Sequence, residues 1–101
     1  MITITDNYKR GKKHANSLNT LGFQYVFLKA LKETGNDTRK CHINDKIAEY
    51  IKNKEVRFTG EIENNWQTST GYCKSDLQNR KVINKRKEGN NVYWHIINEV
   101  N

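Results

Sequence analysis

The sequence predicts an α+β fold, mainly α, in which three helices are followed by a two-stranded β-hairpin. Apolar residues recur at helical spacing in three separate stretches, and two β-rich runs separated by a Glu-Gly-Asn-Asn turn follow the third stretch. With 101 residues and no proline, the chain has the length of one domain. We therefore expect residues 1–19 to form a basic N-terminal arm and residues 20–101 to form a single folded domain.

The first predicted helix is the most apolar of the three. Its apolar stripe follows helical spacing from Leu21 through Tyr25 and Leu28 to Leu31. Thr20 is the candidate N-cap, and turn-forming residues at positions 34–37 end the pattern. We expect the rest of the chain to pack around this helix.

The stretch between the first and third helices is shorter and more polar. Residues 41–43 are predicted to form a short strand, and Asn44 is the candidate N-cap of a second helix over residues 45–52, with Asp45 in its first turn. After this helix, Val56 and Phe58 alternate as they would in a strand, but the run is short.

A third helix is predicted over residues 60–79, with Thr59 as its cap. Gly71 lies inside it at a cost of about 1 kcal/mol relative to alanine, so a shorter helix beginning near Ser69 is an open alternative. The predicted buried face recurs at intervals of four, three, four and four residues, and it consists of Ile62, Trp66, Ser69, Cys73 and Leu77.

The positive charge of the chain is concentrated in two segments. The net charge is +7; residues 9–13 and 74–87 together carry +9, and the rest of the chain carries −2. A compositional bias of the genome would explain the number of lysines but not this clustering. The concentrated charge favours a polyanionic partner, with nucleic acid first and an acidic protein or a membrane surface behind it.

The end of the sequence carries a family resemblance. Leu77 lies five residues before the apolar pair Val82 and Ile83, and a basic turn containing Gly89 leads to a return strand through Val92. This pattern resembles the end of winged helix-turn-helix DNA-binding domains. It is similar to those attached to Mrr-type restriction endonucleases and to small bacterial regulators. The resemblance spans residues 20–97 and departs from the family at Arg80 and Lys81, where a glycine is usual.

The resemblance implies a winged-helix domain whose third helix enters the major groove and whose hairpin, the wing, meets the DNA backbone. Glutamine, lysine, serine and threonine are side chains that can read base edges. The implied contacts on the recognition helix are Gln67, Thr68, Tyr72, Lys74, Ser75 and Gln78. Those on the wing are Lys85, Arg86, Lys87, Asn90 and Asn91. The arm would follow the backbone or a minor groove through Lys9, Arg10, Lys12 and Lys13.

The sequence offers no support for catalysis. It has no closely spaced carboxylate and lysine set of the nuclease kind, no His-Asn-His grouping and no glycine-rich phosphate loop. We therefore expect a protein that is not an enzyme and that has no catalytic residue, no cofactor and no metal. The three histidines share no ligand spacing with either cysteine; these residues are His14, His42, His95, Cys41 and Cys73.

Three hypotheses for function remain. The first is a small transcriptional regulator of bacterial, plasmid or phage origin, and the second is a DNA-recognition module of a restriction or mobile-element system. A start at Met1 and an end shortly after the last strand favour a complete small protein. The third is a phage-encoded inhibitor or accessory protein that binds a host protein or nucleoprotein complex.

The expected partner is double-stranded DNA, with a host protein as the alternative. We expect a monomer or a DNA-assembled homodimer, since residues 98–101 are too few for a further helix. The chain has no apolar run of about 18 residues and no secretory signal, and two cysteines are too few for a disulfide scaffold. We therefore expect no membrane association and a cytoplasmic location.

Overall fold

The computed structural model describes residues 2–6, 18–60 and 62–98, which form an α+β fold. The elements follow the chain in the order β1 (Ile2–Asp6), α1 (Leu18–Glu33), α2 (Lys40–Lys52), β2 (Val56–Gly60), α3 (Trp66–Asn79), β3 (Ile83–Glu88) and β4 (Asn91–Ile96). The predicted three helices and the terminal hairpin are present. No helix among the described residues is long and apolar enough to cross a membrane.

Helix α1 lies at the centre of the core. It contacts α2, α3, β1 and β4. Its buried side chains are separated by three or four residues, as one face of a helix requires, and they include Phe23, Val26, Phe27, Ala30 and Leu31. Burial of each of the larger ones contributes about 1.5–3 kcal/mol. The expectation that the rest of the chain packs around α1 agrees with these contacts.

A parallel pair of strands forms a second, separate sheet. β1 pairs with β2 in the register Ile2↔Val56 and Ile4↔Phe58, and Ile4, Val56 and Phe58 are buried. The expected arm therefore differs from the structure at its start, because residues 2–6 form a strand paired with β2 and Ile4 belongs to the core. Residues 7–17 of the expected arm lie outside the described residues, and its last two residues, Leu18 and Asn19, already belong to α1.

The prediction for the second helix was wrong at its start. α2 begins at Lys40 rather than Asp45, so residues 41–43 are helical, and Asn44 lies inside the helix instead of capping it. The reason is the spacing of Ile43, Ile47 and Tyr50, which are all buried along one helical face. The residue at the N-cap is Arg39, which makes no capping hydrogen bond with its side chain.

Helix α3 begins between the two predicted starting points. Thr59 and Gly60 end β2, and Gly60 has a φ of 76°, which glycine adopts without strain. Ile62 is buried in the turn that follows, and the helix starts at Trp66. Its buried residues are Thr70, Cys73 and Leu77, so Thr70 is part of a face that was predicted to be purely apolar apart from Ser69.

All three helices end with the hydrogen-bond pattern of a Schellman motif. After α3, the amide of Val82 donates to the carbonyl of Leu77 at 2.9 Å, and that of Lys81 donates to Gln78 at 3.0 Å. This motif places one residue in the left-handed region, where glycine is favoured. Gly35 occupies that position after α1, but lysines occupy it after the other two helices, Lys54 with a φ of 61° and Lys81 with a φ of 61°.

The hairpin has the predicted tight turn. β3 and β4 are antiparallel in a register that opposes Glu88 to Asn91, so the loop is Gly89 and Asn90 alone. Gly89 has a φ of 60°, as the first position of a two-residue type II′ turn requires. The backbone of Thr38, between α1 and α2, also forms a bridge with Trp94 of β4.

Candidate nucleic-acid interface

The outer side of α3 carries the residues that sequence analysis assigned to base contact. Because Thr70, Cys73 and Leu77 face the core, the opposite side of the helix is left to solvent. Four of the six predicted residues are exposed (Gln67, Thr68, Tyr72 and Ser75), and the other two, Lys74 and Gln78, are half-buried. The structure therefore brings all six to the outward part of one helix.

Lys74 is half-buried because its side chain lies over the ring of Trp94. The Nζ atom of Lys74 is 4.9 Å from the centroid of that ring, and the Nζ atom of Lys85 is 6.0 Å from the same centroid. Lys85 lies directly opposite Trp94 in the register of the hairpin. An indole ring attracts cations through the negative face of its π-system. Trp94 is thus contacted by one lysine from α3 and by one from β3.

A third lysine reaches this place from α2. A Cβ atom built on Gly71 would lie 3.3 Å from the Nζ atom of Lys40, so the amine of Lys40 lies against α3, one turn before Lys74. We call Lys40, Lys74 and Lys85 the lysine cluster. Within the described part of the chain, none of these three lysines forms an ion pair with an acidic side chain.

The cluster is electrostatically unfavourable in the absence of an anion. The pKa of Lys74 is lowered from its ordinary value, first by burial and then by repulsion from Lys40 and Lys85. Burial penalises the charged form of Lys74, and two further positive charges add to that penalty. An anion placed between the three amines would remove the repulsion.

The hairpin extends this positive surface towards its tip. Side chains of a strand alternate between its two faces, so Lys85 and Lys87 share the face of Ile83, and their cross-strand neighbours are Trp94 and Val92. Lys85, Lys87, Asn90 and Asn91 are all exposed. Arg86 is exposed as well, so all five predicted wing contacts are accessible at the hairpin.

Arg86 differs from the other wing residues. Its guanidinium donates to both carboxylate oxygens of Asp37, with the closest contact at 2.7 Å, and to Glu88 at 2.7 Å, and it lies 4.3 Å from the centre of the Tyr93 ring. The hydrogen bonds from Arg86 lower the pKa of Asp37, and the two carboxylates raise that of Arg86. Two acids compensate the charge of Arg86, which ties the hairpin to the segment between α1 and α2.

The four predicted contacts of the arm lie outside the described residues; they are Lys9, Arg10, Lys12 and Lys13. Conversely, Lys40 was not predicted as a contact, because residues 41–43 were expected to form a strand and Asn44 to cap the helix that follows. The signal was present in the spacing of Ile43 and Ile47, which requires a helix that begins before Asn44.

In the described part of the chain, the thiols and histidines do not converge on a centre. Among the residues that the structure describes, no group of three His, Cys, Asp or Glu side chains is arranged to hold a metal ion. Cys41 is exposed, whereas Cys73 is buried. Burial raises the pKa of the Cys73 thiol to about 12, which makes it a poor nucleophile at neutral pH.

Comparison with known proteins finds no match to a protein-family model, to a curated protein or to a solved structure.

Proposed function

We propose that this protein binds double-stranded DNA as a small regulator or recognition module, with α3 in the major groove and the hairpin on the backbone. The observation that carries the proposal is the lysine cluster, three cations that have no acidic partner among the described residues, next to uncharged polar side chains of α3. Phosphate contacts supply much of the affinity of DNA-binding proteins, and polar side chains in the groove supply sequence discrimination.

A winged-helix arrangement is part of the proposal. It is supported by the order of α1, α2 and α3 before the hairpin and by the bridge between Thr38 and Trp94, which gives the hairpin a short third partner before α2. The parallel pair of β1 and β2 is an addition to that arrangement. In winged helices of this kind, the third helix reads the major groove.

The proposal assigns different tasks to the two surfaces. Gln67, Thr68 and Ser75 are exposed and uncharged, and side chains of these types can accept or donate hydrogen bonds at base edges. The lysine cluster and Lys87 contact phosphates, which position the protein without reading sequence. Loss of the lysines should therefore weaken binding to every duplex by a similar factor.

The test is fluorescence anisotropy with a labelled random duplex of about 30 base pairs at several salt concentrations. The variant Lys40→Gln/Lys85→Gln/Lys87→Gln removes three charges from the proposed interface. Its matched control, Lys52→Gln/Lys54→Gln/Arg57→Gln, removes three exposed charges from the far end of α2 and from β2. Lys52 lies about 18 Å along the helix from Lys40.

We expect the wild type and the control to bind with a steep salt dependence, and we expect the interface variant to lose most of its affinity. If about six phosphates are contacted, the slope of log K against log salt approaches roughly −5. Absence of wild-type binding at about 50 mM salt would overturn the proposal. Equal losses in the two variants would show that overall charge, and not this surface, determines binding.

A further inference from the structure

The lysine cluster draws its three side chains from three different elements of the fold. Lys40 is the first residue of α2, Lys74 lies in α3 and Lys85 lies in β3. Two of the amines lie within 6.0 Å of one ring centroid, and the third lies against Gly71. The cluster therefore depends on the tertiary fold and not on a local run of basic sequence.

We infer that the three lysines of the cluster hold one and the same phosphate group of the bound duplex. This inference rests on the proposed function and makes it specific. A phosphodiester has two unesterified oxygens that share one negative charge, and each can accept more than one hydrogen bond from an ammonium group. Lysine binds phosphate as a compact point charge with three donors, so three amines that converge can share a single anion.

Trp94 prepares this site by restricting two of the amines. Lys74 and Lys85 both contact its ring, and Trp94 itself is buried and fixed by the backbone bridge to Thr38. A lysine with a free side chain loses rotamer freedom when it binds an anion. Lysines that already lie on the indole lose less of it, which favours binding at this place over the exposed lysines elsewhere.

Gly71 supplies the space for the third amine. It lies inside α3, where glycine is unfavourable, yet a methyl group at this position would lie 3.3 Å from the Nζ atom of Lys40. The end of a lysine side chain is flexible, so Gly71→Ala should shift the amine by a few tenths of an ångström without disturbing the backbone. We expect this variant to have a higher Tm than the wild type and a slightly weaker affinity for DNA.

A thermodynamic cycle isolates that effect. The change Gly71→Ala is made both in the wild type and in the Lys40→Ala variant, and the DNA affinity of all four proteins is measured by anisotropy. We expect Gly71→Ala to weaken binding only where Lys40 is present. An equal loss in both backgrounds would mean that Gly71 acts independently of Lys40, and it would overturn this part of the inference.

The number of phosphates is read from the salt dependence. Each phosphate contributes about 0.9 to the slope of log K against log salt on duplex DNA. If the cluster holds one phosphate, Lys40→Gln/Lys74→Gln/Lys85→Gln should reduce the slope by about 1, whereas three separate phosphates would give a reduction of about 3. Urea unfolding of the same variant establishes that it is folded. If it is not, Lys40→Gln/Lys85→Gln replaces it, with an expected slope change of no more than about 1 for one shared phosphate and of about 2 for separate phosphates.

The possible failures are distinguishable. If the wild type does not bind duplex DNA at low salt, the proposed function is wrong. If it binds and the slope falls by about 3, the function stands and the shared phosphate is wrong. A slope that does not change when all three lysines are replaced would show that the cluster meets no phosphate, which also overturns the inference.

Discussion

Thr38 and Trp94 exchange both of their backbone hydrogen bonds, from the Thr38 amide to the Trp94 carbonyl at 3.0 Å and from the Trp94 amide to the Thr38 carbonyl at 2.8 Å. The two preceding residues add further ties, because Asn36 accepts from the amide of Ile96 and Asp37 binds Arg86. The hairpin is thereby fixed against the start of α2. This connection brings Lys85 of the hairpin and Lys74 of α3 to the same ring, that of Trp94.

The ion pair between Asp37 and Arg86 makes the free energy of unfolding depend on pH in the acidic range. The pKa of Asp37 is lowered from 3.8 because Arg86 stabilises its charged form. The resulting contribution to stability is fully present above 3.8, the ordinary value, and is lost as the pH falls through the lowered pKa of the folded protein. In urea unfolding, Asp37→Asn should lower the midpoint above this range and have no effect at the acid end. If the urea midpoints of Asp37→Asn and the wild type still differed at the acid end, the stabilisation would not come from the charge of Asp37.

The compensated charge of Arg86 should make it less important for DNA binding than its neighbours. We expect Lys85→Gln to weaken binding and reduce the salt slope, and Arg86→Gln to change both by a smaller amount, since two carboxylates already balance its charge. Hydrogen exchange should show the reverse order, with faster exchange of β3 and β4 amides in Arg86→Gln. Equal effects on the salt slope would show that Arg86 leaves Asp37 to bind phosphate.

The two lysines with positive φ are sites for stabilisation. A left-handed backbone costs residues other than glycine about 1–2 kcal/mol, so replacement by glycine relieves this cost. Part of the relief is lost, because glycine gives the unfolded chain more conformational freedom. We expect Lys81→Gly and Lys54→Gly each to increase the free energy of unfolding by about 0.5–1 kcal/mol. The matched control, Lys52→Gly in the last turn of α2, should decrease it by up to about 1 kcal/mol. Unfolding in urea measures all three.

The hairpin and its register were predictable from the sequence, because a two-residue turn at Gly89 and Asn90 determines every pair along the strands. That register places Lys85 opposite Trp94. These features follow from local chemistry and from alternation, which a sequence displays directly.

Other parts of the site depend on contacts between elements that are distant in sequence. The approach of Lys40 to Gly71 and the pairing of Arg86 with Asp37 arise from how α2, α3 and the hairpin pack. The paired strands β1 and β2 are also distant in sequence, and each is too short to predict its partner. Periodicity identifies the faces of elements but not which faces meet.

The buried hydroxyl of Thr70 should be important for the packing of α3 on α2. It is fully buried, and its single proton is shared between two acceptors, the Oδ1 atom of Asn44 at 3.0 Å and the carbonyl of Gln67 at 2.6 Å. Thr70→Val keeps the shape but leaves the amide oxygen of Asn44 without this donor, at a cost of about 1–3 kcal/mol. Thr68→Val, on the exposed side of the same helix, should change stability by less than about 0.5 kcal/mol. Similar losses in both variants would assign the effect to helix propensity rather than to the hydrogen bond.

The two cysteines should respond very differently to a thiol reagent. Cys41 is exposed and should react quickly in the folded protein, whereas Cys73 is buried with a pKa raised to about 12 and should react only after unfolding. Mass spectrometry after a short treatment with iodoacetamide should therefore find one modified thiol under native conditions and two in denaturant. Cys41→Ser should leave no fast-reacting thiol.

The raised pKa of Cys73 predicts that the free energy of unfolding falls at alkaline pH. Above 9.0, the ordinary thiol value, the unfolded chain releases the Cys73 proton while the folded protein retains it up to about 12. Because the folded state then binds more protons, the free energy of unfolding falls as the pH rises through this range. Cys73→Ala lacks this contribution, so its stability should fall less steeply with pH than that of Cys41→Ser, which retains Cys73. Parallel profiles for the two variants would show that Cys73 ionises in the folded protein without hindrance.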